Sequence, residues 1–280
     1  MTLSLSSMIK LNEYVSLPML GFGTYKIVEQ AEMTIAVDQA LKVGFRSFDT
    51  AQLYNNEQAL GTALKNSGYQ RQDYMITSKV NNTNQGYDQT LRAFDQVLTD
   101  LQIDYIDLFL VHWPLSNSFF ETWQALEYIY EQKAAKAIGV CNFTISHLEL
   151  LATKANIKPM IDQIELHPYF TQERQVQYLR QDNIAIEAWS PLAQGKVNEE
   201  QRLIDLAKKY HKTASQITLR WHMQKGYIAI PKSSNPARIT DNANIFDFTL
   251  TDAEIQSIDE LNQNLRLGPN PDHVYKKNGF

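Results

Sequence analysis

The stretch Ile106–Val111, with the sequence IDLFLV, is almost entirely apolar and is followed immediately by His112. A short run of this kind is typical of a parallel strand that is buried on both faces. Similar runs recur along the chain and together predict eight strands. These strands are Leu20–Gly23, Phe45–Asp49, Tyr74–Lys79, Tyr105–Val111, Ala137–Cys141, Met160–Leu166, Ile184–Trp189 and Tyr227–Ile230.

Segments with a helical period lie between the predicted strands. Leu91, Phe94, Leu98 and Leu101 form one apolar stripe, and Thr251–Glu254 has the pattern of a capping box that begins a last helix. The alternation continues without a linker or a change in composition. It predicts one α/β domain over residues 1–280, a (β/α)8 TIM barrel with an extra C-terminal helix. A doubly wound sheet is the alternative.

Composition limits the classes of partner. The chain has 26 Lys and Arg against 31 Asp and Glu, a formal net charge of −5, which argues against nucleic acid and anionic membranes as partners. Cys141 is the one cysteine, which excludes an internal disulfide and fits a reducing compartment. No apolar run approaches about 18 residues and no signal peptide is visible, so we expect a cytoplasmic protein.

Polar and titratable residues follow the predicted strands. Asp49, Lys79 and His112 end strands two, three and four, and Tyr54 comes five residues after the Asp. In a (β/α)8 barrel, catalytic residues gather at this end of the strands, so the pattern predicts an active site. The alternative is an interior salt bridge between Asp49 and Lys79, with Tyr54 as a helix-start residue.

These four side chains are suited to proton donation. A phenol is a poor acid at neutral pH, but a neighbouring ammonium group lowers its pKa and a carboxylate can hold that ammonium in place. Tyr54 with Lys79 and Asp49 therefore forms a candidate proton donor, while His112 could hydrogen-bond the acceptor oxygen. Such a set would protonate a carbonyl oxygen as it gains negative charge.

Several segments resemble the signatures of the aldo-keto reductases, in the order found in that family. They are Gly44–Ala51 with Tyr54, Glu57 and Gly61; Asp104–Asp107 with His112–Pro114; Lys136–Phe143; Asp162–Tyr169; Ala188–Leu192; and Ile230–Ser233 with Arg238 and Asn242. Gly268–Asp272 is similar to the tail of small bacterial members such as 2,5-diketo-gluconate and methylglyoxal reductases. The resemblance implies NADPH-dependent reduction of small aldehydes, α-dicarbonyls or keto-sugar acids in a (β/α)8 barrel. It also implies an N-terminal β-hairpin near Met8–Leu20.

The resemblance assigns roles residue by residue. Asp49, Tyr54, Lys79 and His112 match the catalytic tetrad, and the substrate would contact Tyr25, Tyr54, His112 and Trp113. Asn142 and Gln163 match residues that bind the nicotinamide carboxamide, and Trp189 matches the aromatic residue on which the ring stacks. Lys232, Ser233 and Arg238 match the group around the adenosine 2′-phosphate, with Asp241 and Asn242 near the adenine. The other expected cofactor contacts are Gly23, Thr24, Asp49, Ser190, Leu192, Gln194 and Ser234.

The chemistry of the residues agrees with this assignment. A phosphate is bound well by the compact charge of an ammonium group and by the paired N–H groups of a planar guanidinium, which Lys232 and Arg238 supply. Three features depart from the family pattern. Val80-Asn81 stands where Leu-Trp is common and the Trp walls the substrate pocket; Cys141 replaces a Ser; and the loop 113–119 is short. We therefore expect an open pocket and polar substrates.

Two other functions remain open at this point. One is a regulatory barrel that binds the nucleotide without catalysis, because fold alone does not determine function. The other is a metal-dependent hydrolase that uses Asp49, His112, Glu165 and His167, although we predict no metal. A Rossmann site is excluded, because Gly21-Phe22-Gly23 is followed by Lys26 where the third glycine belongs. We expect a small-molecule partner and a monomer.

Overall fold

The computed structural model describes residues 3–277, so residues 1–2 and 278–280 of the predicted domain lie outside the described residues. The chain begins with an antiparallel hairpin of strands β1 (Met8–Lys10) and β2 (Ser16–Pro18), which confirms the hairpin expected near Met8–Leu20. Asn12 shapes the turn, because its Oδ1 accepts hydrogen bonds from the backbone N–H groups of Tyr14 and Val15, both at 2.8 Å.

Eight parallel strands follow, each paired with the next in chain order. They are β3 Phe22–Gly23, β4 Ser47–Asp49, β5 Met75–Val80, β6 Leu108–Val111, β7 Ile138–Cys141, β8 Ile161–Glu165, β9 Ala185–Trp189 and β10 Ile228–Ala229. The first and last strands also meet, because Leu20 and Gly23 form parallel bridges to Ala229 and Lys232. The sheet therefore curls back on itself as the predicted (β/α)8 barrel. The strands lie within the predicted runs to within a residue. Seven of them are shorter than predicted, β5 has the predicted length but is shifted by one residue, and Leu20 belongs to a bridge rather than to a strand.

The helices surround this sheet. They are α1 Gln30–Val43, α2 Glu57–Asn66, α3 Tyr87–Leu101, α4 Phe119–Glu131, α5 Ile145–Ala152, α6 Glu173–Gln181, α7 Gln201–Tyr210, α8 Ala214–Gln224, α9 Pro236–Ala243, α10 Asp252–Asp259 and α11 Pro271–Lys277. The capping box that begins α10 is confirmed, since the Thr251 side chain accepts from the Glu254 N–H and the Glu254 carboxylate accepts from the Thr251 N–H. After the barrel the chain thus adds α10 and also α11, which the sequence pattern did not predict.

The barrel interior is apolar at the end that the hairpin covers. Leu17 of β2 is fully buried and packs in one cluster with side chains from the strands. This lower layer consists of Val15, Leu17, Leu108, Leu110, Ala137, Ile161 and Ile228, and Cys141 of the same cluster reaches the cleft. Gly139 lies between neighbouring strands here, where an added Cβ would stand 2.5 Å from Ile161 Cγ2, so only glycine fits.

Candidate active site

A cleft of about 1350 Å³ opens at the carboxyl ends of the barrel strands. Most residues predicted for the site line this cleft, so the fold brings together predicted residues at or just after the ends of seven of the eight strands. They are Gly23, Tyr25, Asp49, Tyr54, His112, Trp113, Asn142, Gln163, Trp189, Ser190, Leu192, Gln194, Lys232, Ser233, Arg238, Asp241 and Asn242. Of the predicted residues, Lys79, Thr24 and Ser234 are not among the lining residues.

Lys79 lies below the cleft floor in a buried ion pair. Its Nζ donates to both carboxylate oxygens of Asp49 at 2.8 Å and to the backbone oxygen of Thr50 at 2.9 Å. Both side chains are essentially excluded from solvent. Burial acts to lower the pKa of Lys79, but the charge and hydrogen bond of Asp49 together with Tyr54 and Cys141 raise it by more, so the net pKa is raised. Lys79 is therefore a fixed positive charge.

Tyr54 stands next to this charge, with its Oη 3.5 Å from Lys79 Nζ. Burial raises the pKa of Tyr54 strongly, and the Lys79 ammonium lowers it by less, so the net pKa lies above that of a free phenol. The direction of the Lys79 effect was predicted correctly, but the larger cost of burying a phenolate could not be judged from spacing.

His112 completes the predicted tetrad, with its ring centroid 5.8 Å from that of Tyr54. Burial and then the Lys79 ammonium lower the pKa of His112 well below its ordinary value, so the imidazole is neutral. Its buried Nδ1 has no hydrogen-bond partner within the described part of the chain. A neutral imidazole carries one N–H and can donate it to an oxygen in the cleft.

A hydrogen-bonded group of side chains lies beside the tetrad. Asn142 has a left-handed backbone, with φ of 65°, and its Nδ2 donates to the His112 backbone oxygen at 3.1 Å. Its Oδ1 accepts from Trp189 Nε1 at 2.8 Å, which fixes the indole at the cleft wall. Gln163 Nε2 donates to Asp49 Oδ2 at 2.8 Å. The three residues predicted to hold the nicotinamide are therefore preorganised by one another and by the tetrad.

Cys141 fills the space behind Asn142. Its Sγ lies 3.1 Å from Asn142 Nδ2 and 3.6 Å from Gln163 Oε1. Burial raises the pKa of the Cys141 thiol well above its ordinary value, so the sulfur stays protonated. The thiol thus stands where the family commonly has a hydroxyl and makes weak contacts to both amides.

The other end of the cleft is basic and is formed by the start of α9. Asn235 caps this helix, since its Oδ1 accepts from the N–H groups of Ala237 and Arg238. Lys232 and Arg238 line the cleft together with the hydroxyl-bearing Ser233. Thr24 lies behind the cleft, where its buried Oγ1 donates to the Asp49 backbone oxygen, and its contact with the cofactor stays a prediction.

Near Tyr54, the cleft is walled by aromatic and amide side chains. The Tyr25 ring centroid lies 4.9 Å from that of Tyr54, and Trp113 stacks beside His112. Asn82, and not Asn81, is among the lining residues. Asn81 instead donates its backbone N–H to Gln52 Oε1 at 2.9 Å. Asn82 thus takes the place in the lining that was expected of Asn81, and its buried Oδ1 has no partner among the described residues.

The C-terminal segment forms a further wall that sequence reasoning missed. Leu267 and Gly268 line the cleft, and their backbone N–H groups donate to the two oxygens of Glu165 at 2.6 and 3.1 Å. An added Cβ on Gly268 would stand 2.3 Å from Trp189 Cη2, so glycine permits this close approach. The motif Gly268–Asp272 marked this segment in the sequence, but it did not predict which residues the segment contacts.

The side chains of the hydrolase alternative do not form a metal centre. Asp49 is bound by Lys79, whereas Glu165 accepts from the tail and lies 3.1 Å from His167 Nε2. Across residues 3–277, no three His, Cys, Asp or Glu side chains are grouped as a metal site. The same residues include no helix that is both long and apolar enough to cross a bilayer.

Comparison with known proteins identifies the family. The Aldo/keto reductase family model matches residues 19–263. The chain belongs to the aldo-keto reductase family. It is 45% identical over 274 residues to the glyoxal reductase of Bacillus subtilis (strain 168), covering 98% of this chain and 99% of that protein. It is 41% identical over 270 residues to the methylglyoxal reductase DkgA of Escherichia coli (strain K12), covering 95% and 97% of the two chains.

Solved aldo-keto reductase structures have the same fold. A crystal structure of an aldo/keto reductase from Brucella melitensis gives a TM-score of 0.87 at 43% identity, covering 91% of this chain and 99% of that one. A Gox0644 variant in complex with NADPH gives 0.90 at 35% identity, covering 95% and 97%. These matches confirm the family resemblance and the predicted barrel. They also confirm the expectation of an NADPH-dependent oxidoreductase that acts on carbonyl groups.

Proposed function

We propose that this aldo-keto reductase reduces small polar carbonyl compounds, α-dicarbonyls above all, and that Tyr54 donates the proton. The observation that carries the proposal is the buried arrangement in which Asp49 holds Lys79 3.5 Å from the Tyr54 hydroxyl. Neither a regulatory barrel nor an interior salt bridge requires a phenol at this point beside a neutral His112.

The shape and polarity of the cleft fit a nicotinamide dinucleotide phosphate. Trp189, Asn142 and Gln163 lie at one end, and Lys232 and Arg238 line the other. We assign the first group to the nicotinamide and its carboxamide, and the basic pair to the 2′-phosphate. Bound NADPH supplies a hydride to the carbonyl carbon. The indole of Trp189 would hold one ring face and so direct transfer from the other.

The tetrad would supply the proton. Because burial keeps Tyr54 protonated, its O–H can donate to a carbonyl oxygen that is gaining negative charge. Lys79 stabilises the phenolate left behind, and Asp49 keeps the ammonium from moving away. The neutral His112 would donate a second hydrogen bond to the same oxygen. A proton from solvent then returns Tyr54 to its starting state.

The substrate class is argued from the walls of the cleft. Asn82 contributes an amide to the lining, and Tyr25 and Trp113 provide flat surfaces with polar edges. Small dicarbonyls suit such a pocket better than long apolar aldehydes. The names of the glyoxal and methylglyoxal reductases, at 45% and 41% identity, point the same way. Keto-sugar acids are the second substrate class.

The test is the loss of NADPH absorbance with a panel of carbonyl compounds, each with and without a chelator. We expect glyoxal and methylglyoxal to give the highest kcat/KM values, unaffected by chelation. No NADPH oxidation with any carbonyl would support the regulatory barrel. A hydrolytic activity lost on chelation would support a metal enzyme. A preference for long apolar aldehydes would still support NADPH-dependent carbonyl reduction but would contradict the proposed substrate class.

Three further expectations stay predictions: that all 280 residues act as one domain, that the protein is a monomer, and that it lies in the cytoplasm. We also expect no nucleic-acid partner, on the basis of the net charge of −5. Sedimentation in the presence and absence of NADPH would test the monomer.

A further inference from the structure

Gln163 makes two hydrogen bonds through one nitrogen. Its Nε2 donates to Asp49 Oδ2 at 2.8 Å and to Glu187 Oε2 at 2.7 Å. An amide nitrogen carries two hydrogens, so both are committed to carboxyl groups. Gln163 Oε1 is left with the weak thiol of Cys141 at 3.6 Å as its donor in the described part of the chain.

Glu187 is not part of the tetrad and does not line the cleft. It pairs with Gln163 across β8 and β9, and it is 1% exposed. Burial, and then the negative charge of Asp49, raise the pKa of Glu187 to about 7. The other groups that face it are Lys79, which Asp49 already binds through both oxygens, and the protonated Cys141. A buried carboxyl without a cation of its own is costly for stability.

We propose that Glu187 is a positioning residue for the cofactor, which fixes the Gln163 amide so that its Oε1 faces the carboxamide N–H of the nicotinamide. This inference rests on the proposed function, since that function places the carboxamide at Gln163. With the hydrogen bond to Asp49 alone, the Gln163 amide could rotate about the line that joins its Nε2 to the Asp49 oxygen. The second bond, to Glu187, fixes the amide plane.

The same arrangement strengthens Gln163 as an acceptor. Hydrogen bonds polarise one another, by about 10–30% per bond, so two acceptors on the nitrogen increase the negative charge on Oε1. The chain from Glu187 through Gln163 would therefore orient the ring that delivers the hydride. Because hydride transfer requires contact geometry, a small misplacement of the ring also lowers kcat.

The experiment compares two ligands that differ only at the group in question. NADP⁺ carries the carboxamide NH₂, whereas its 3-acetylpyridine analogue carries a methyl group there. Calorimetric Kd values would be measured for both ligands with the wild type, E187L and E187Q. We expect the wild type to prefer NADP⁺, and E187L to lose about 2- to 12-fold of that preference, the contribution of one neutral hydrogen bond. E187Q retains an acceptor oxygen and should keep the preference within about 2-fold.

The outcomes separate the inference from the proposed function. Equal weakening of both ligands in E187L would overturn the inference, because a structural role does not distinguish NH₂ from methyl. Loss of the preference in E187Q would also overturn it, because a carbonyl acceptor should suffice. If E187L does not fold, E187V, with a β-branched residue suited to a strand, is judged by the same ratio. A wild type that binds neither ligand would refute the proposed function itself, independently of the Glu187 variants.

Discussion

The barrel interior has two layers that differ in chemistry, and β8 contributes to both, with Ile161 in the lower layer and Gln163 in the upper one. In the lower layer, Leu108 and Leu110 of β6 and Ile161 of β8 pack against Leu17 of the hairpin. Two residues further along each strand, the inward positions are His112 and Gln163. The upper layer, defined here as Asp49, Lys79, Gln163 and Glu187, is polar and is connected by hydrogen bonds from Lys79 to Asp49 and from Gln163 to Asp49 and Glu187. Because successive side chains of a strand point to opposite faces, every second residue points into the barrel. Inward residues at the hairpin end form the apolar core, and those at the carboxyl end form the candidate active site.

The two layers also differ in what they contribute energetically. Burial of the lower layer is favourable at about 25 cal/mol per Å² of apolar surface. The upper layer contains a buried ion pair and a buried acid, which contribute little net stability and can reduce it. We infer that the lower layer and the surrounding helices stabilise an upper layer that is arranged for function. The four predictions below test this separation.

The largest expected effect is on turnover in the upper layer. Tyr54→Phe removes the proposed proton donor but keeps the ring beside Tyr25. We expect kcat to fall about 10²–10⁴-fold, the usual contribution of a general acid. The NADPH Kd and the free energy of unfolding should change little. Steady-state kinetics and calorimetry would measure these quantities, and residual activity above about a tenth of wild type would contradict the role of Tyr54.

The converse effect is expected in the lower layer. Leu17→Ala leaves a cavity under the barrel and should lower the free energy of unfolding by about 2–5 kcal/mol, with kcat per folded molecule nearly unchanged. Leu150→Ala on α5, where the side chain is 37% exposed, is the matched control and should cost less than about 1 kcal/mol. Urea unfolding with parallel assays checks both. A large loss of kcat in folded Leu17→Ala would show that the two layers are not separate.

A smaller effect concerns the basic end of the cleft. Arg238→Ala removes a charge that we assign to the 2′-phosphate, a contact worth about 1.5–3 kcal/mol. NADPH binding should weaken about 10- to 100-fold, whereas NADH binding should change little, because NADH lacks that phosphate. Titration with both dinucleotides measures the difference. An equal loss for NADPH and NADH would refute the assignment of Arg238.

The smallest expected effect lies on the outer face of β5, opposite Lys79. Glu57 accepts from Ser78 Oγ at 2.5 Å, and burial raises its pKa from 4.5 to about 7 although the hydrogen bond acts in the opposite direction. Between these two values the folded state binds more protons than the unfolded state, so this stability contribution is present at low pH and is lost as the pH rises through 7. The free energy of unfolding should therefore fall between pH 5 and pH 8.

Glu57→Gln tests that assignment. The variant cannot ionise at this position, so the decrease between pH 5 and pH 8 should be smaller than in wild type by about 1–3 kcal/mol. Glu187, with a pKa also raised to about 7, remains in the variant and contributes in the same direction. Denaturant unfolding at both pH values provides the measurement. An unchanged pH dependence would mean that Glu57 is already ionised in the folded protein.

The sequence alone predicted the architecture and the four residues of the candidate tetrad, and the family resemblance decided between the alternatives that periodicity and spacing left open. Apolar runs marked the strands, the pattern Thr251–Glu254 marked a helix start, and residues at strand ends were brought together as predicted. These features follow from short-range periodicity and from one rule of barrel geometry, that the carboxyl ends of parallel strands meet on one face. They require no knowledge of distances between remote side chains.

Only the tertiary structure determined the direction of the net pKa shifts and the long-range hydrogen-bond partners of the buried polar groups. The net sign of the Tyr54 pKa depends on burial by residues from many parts of the chain, which no local pattern contains. Glu165 and its tail amides are separated by 102 and 103 residues, and Gln163 and Asp49 by 114. Desolvation and hydrogen-bond pairing are sums over groups that meet only when the barrel closes. The sequence therefore named the chemical groups, and their protonation and orientation were set by folding.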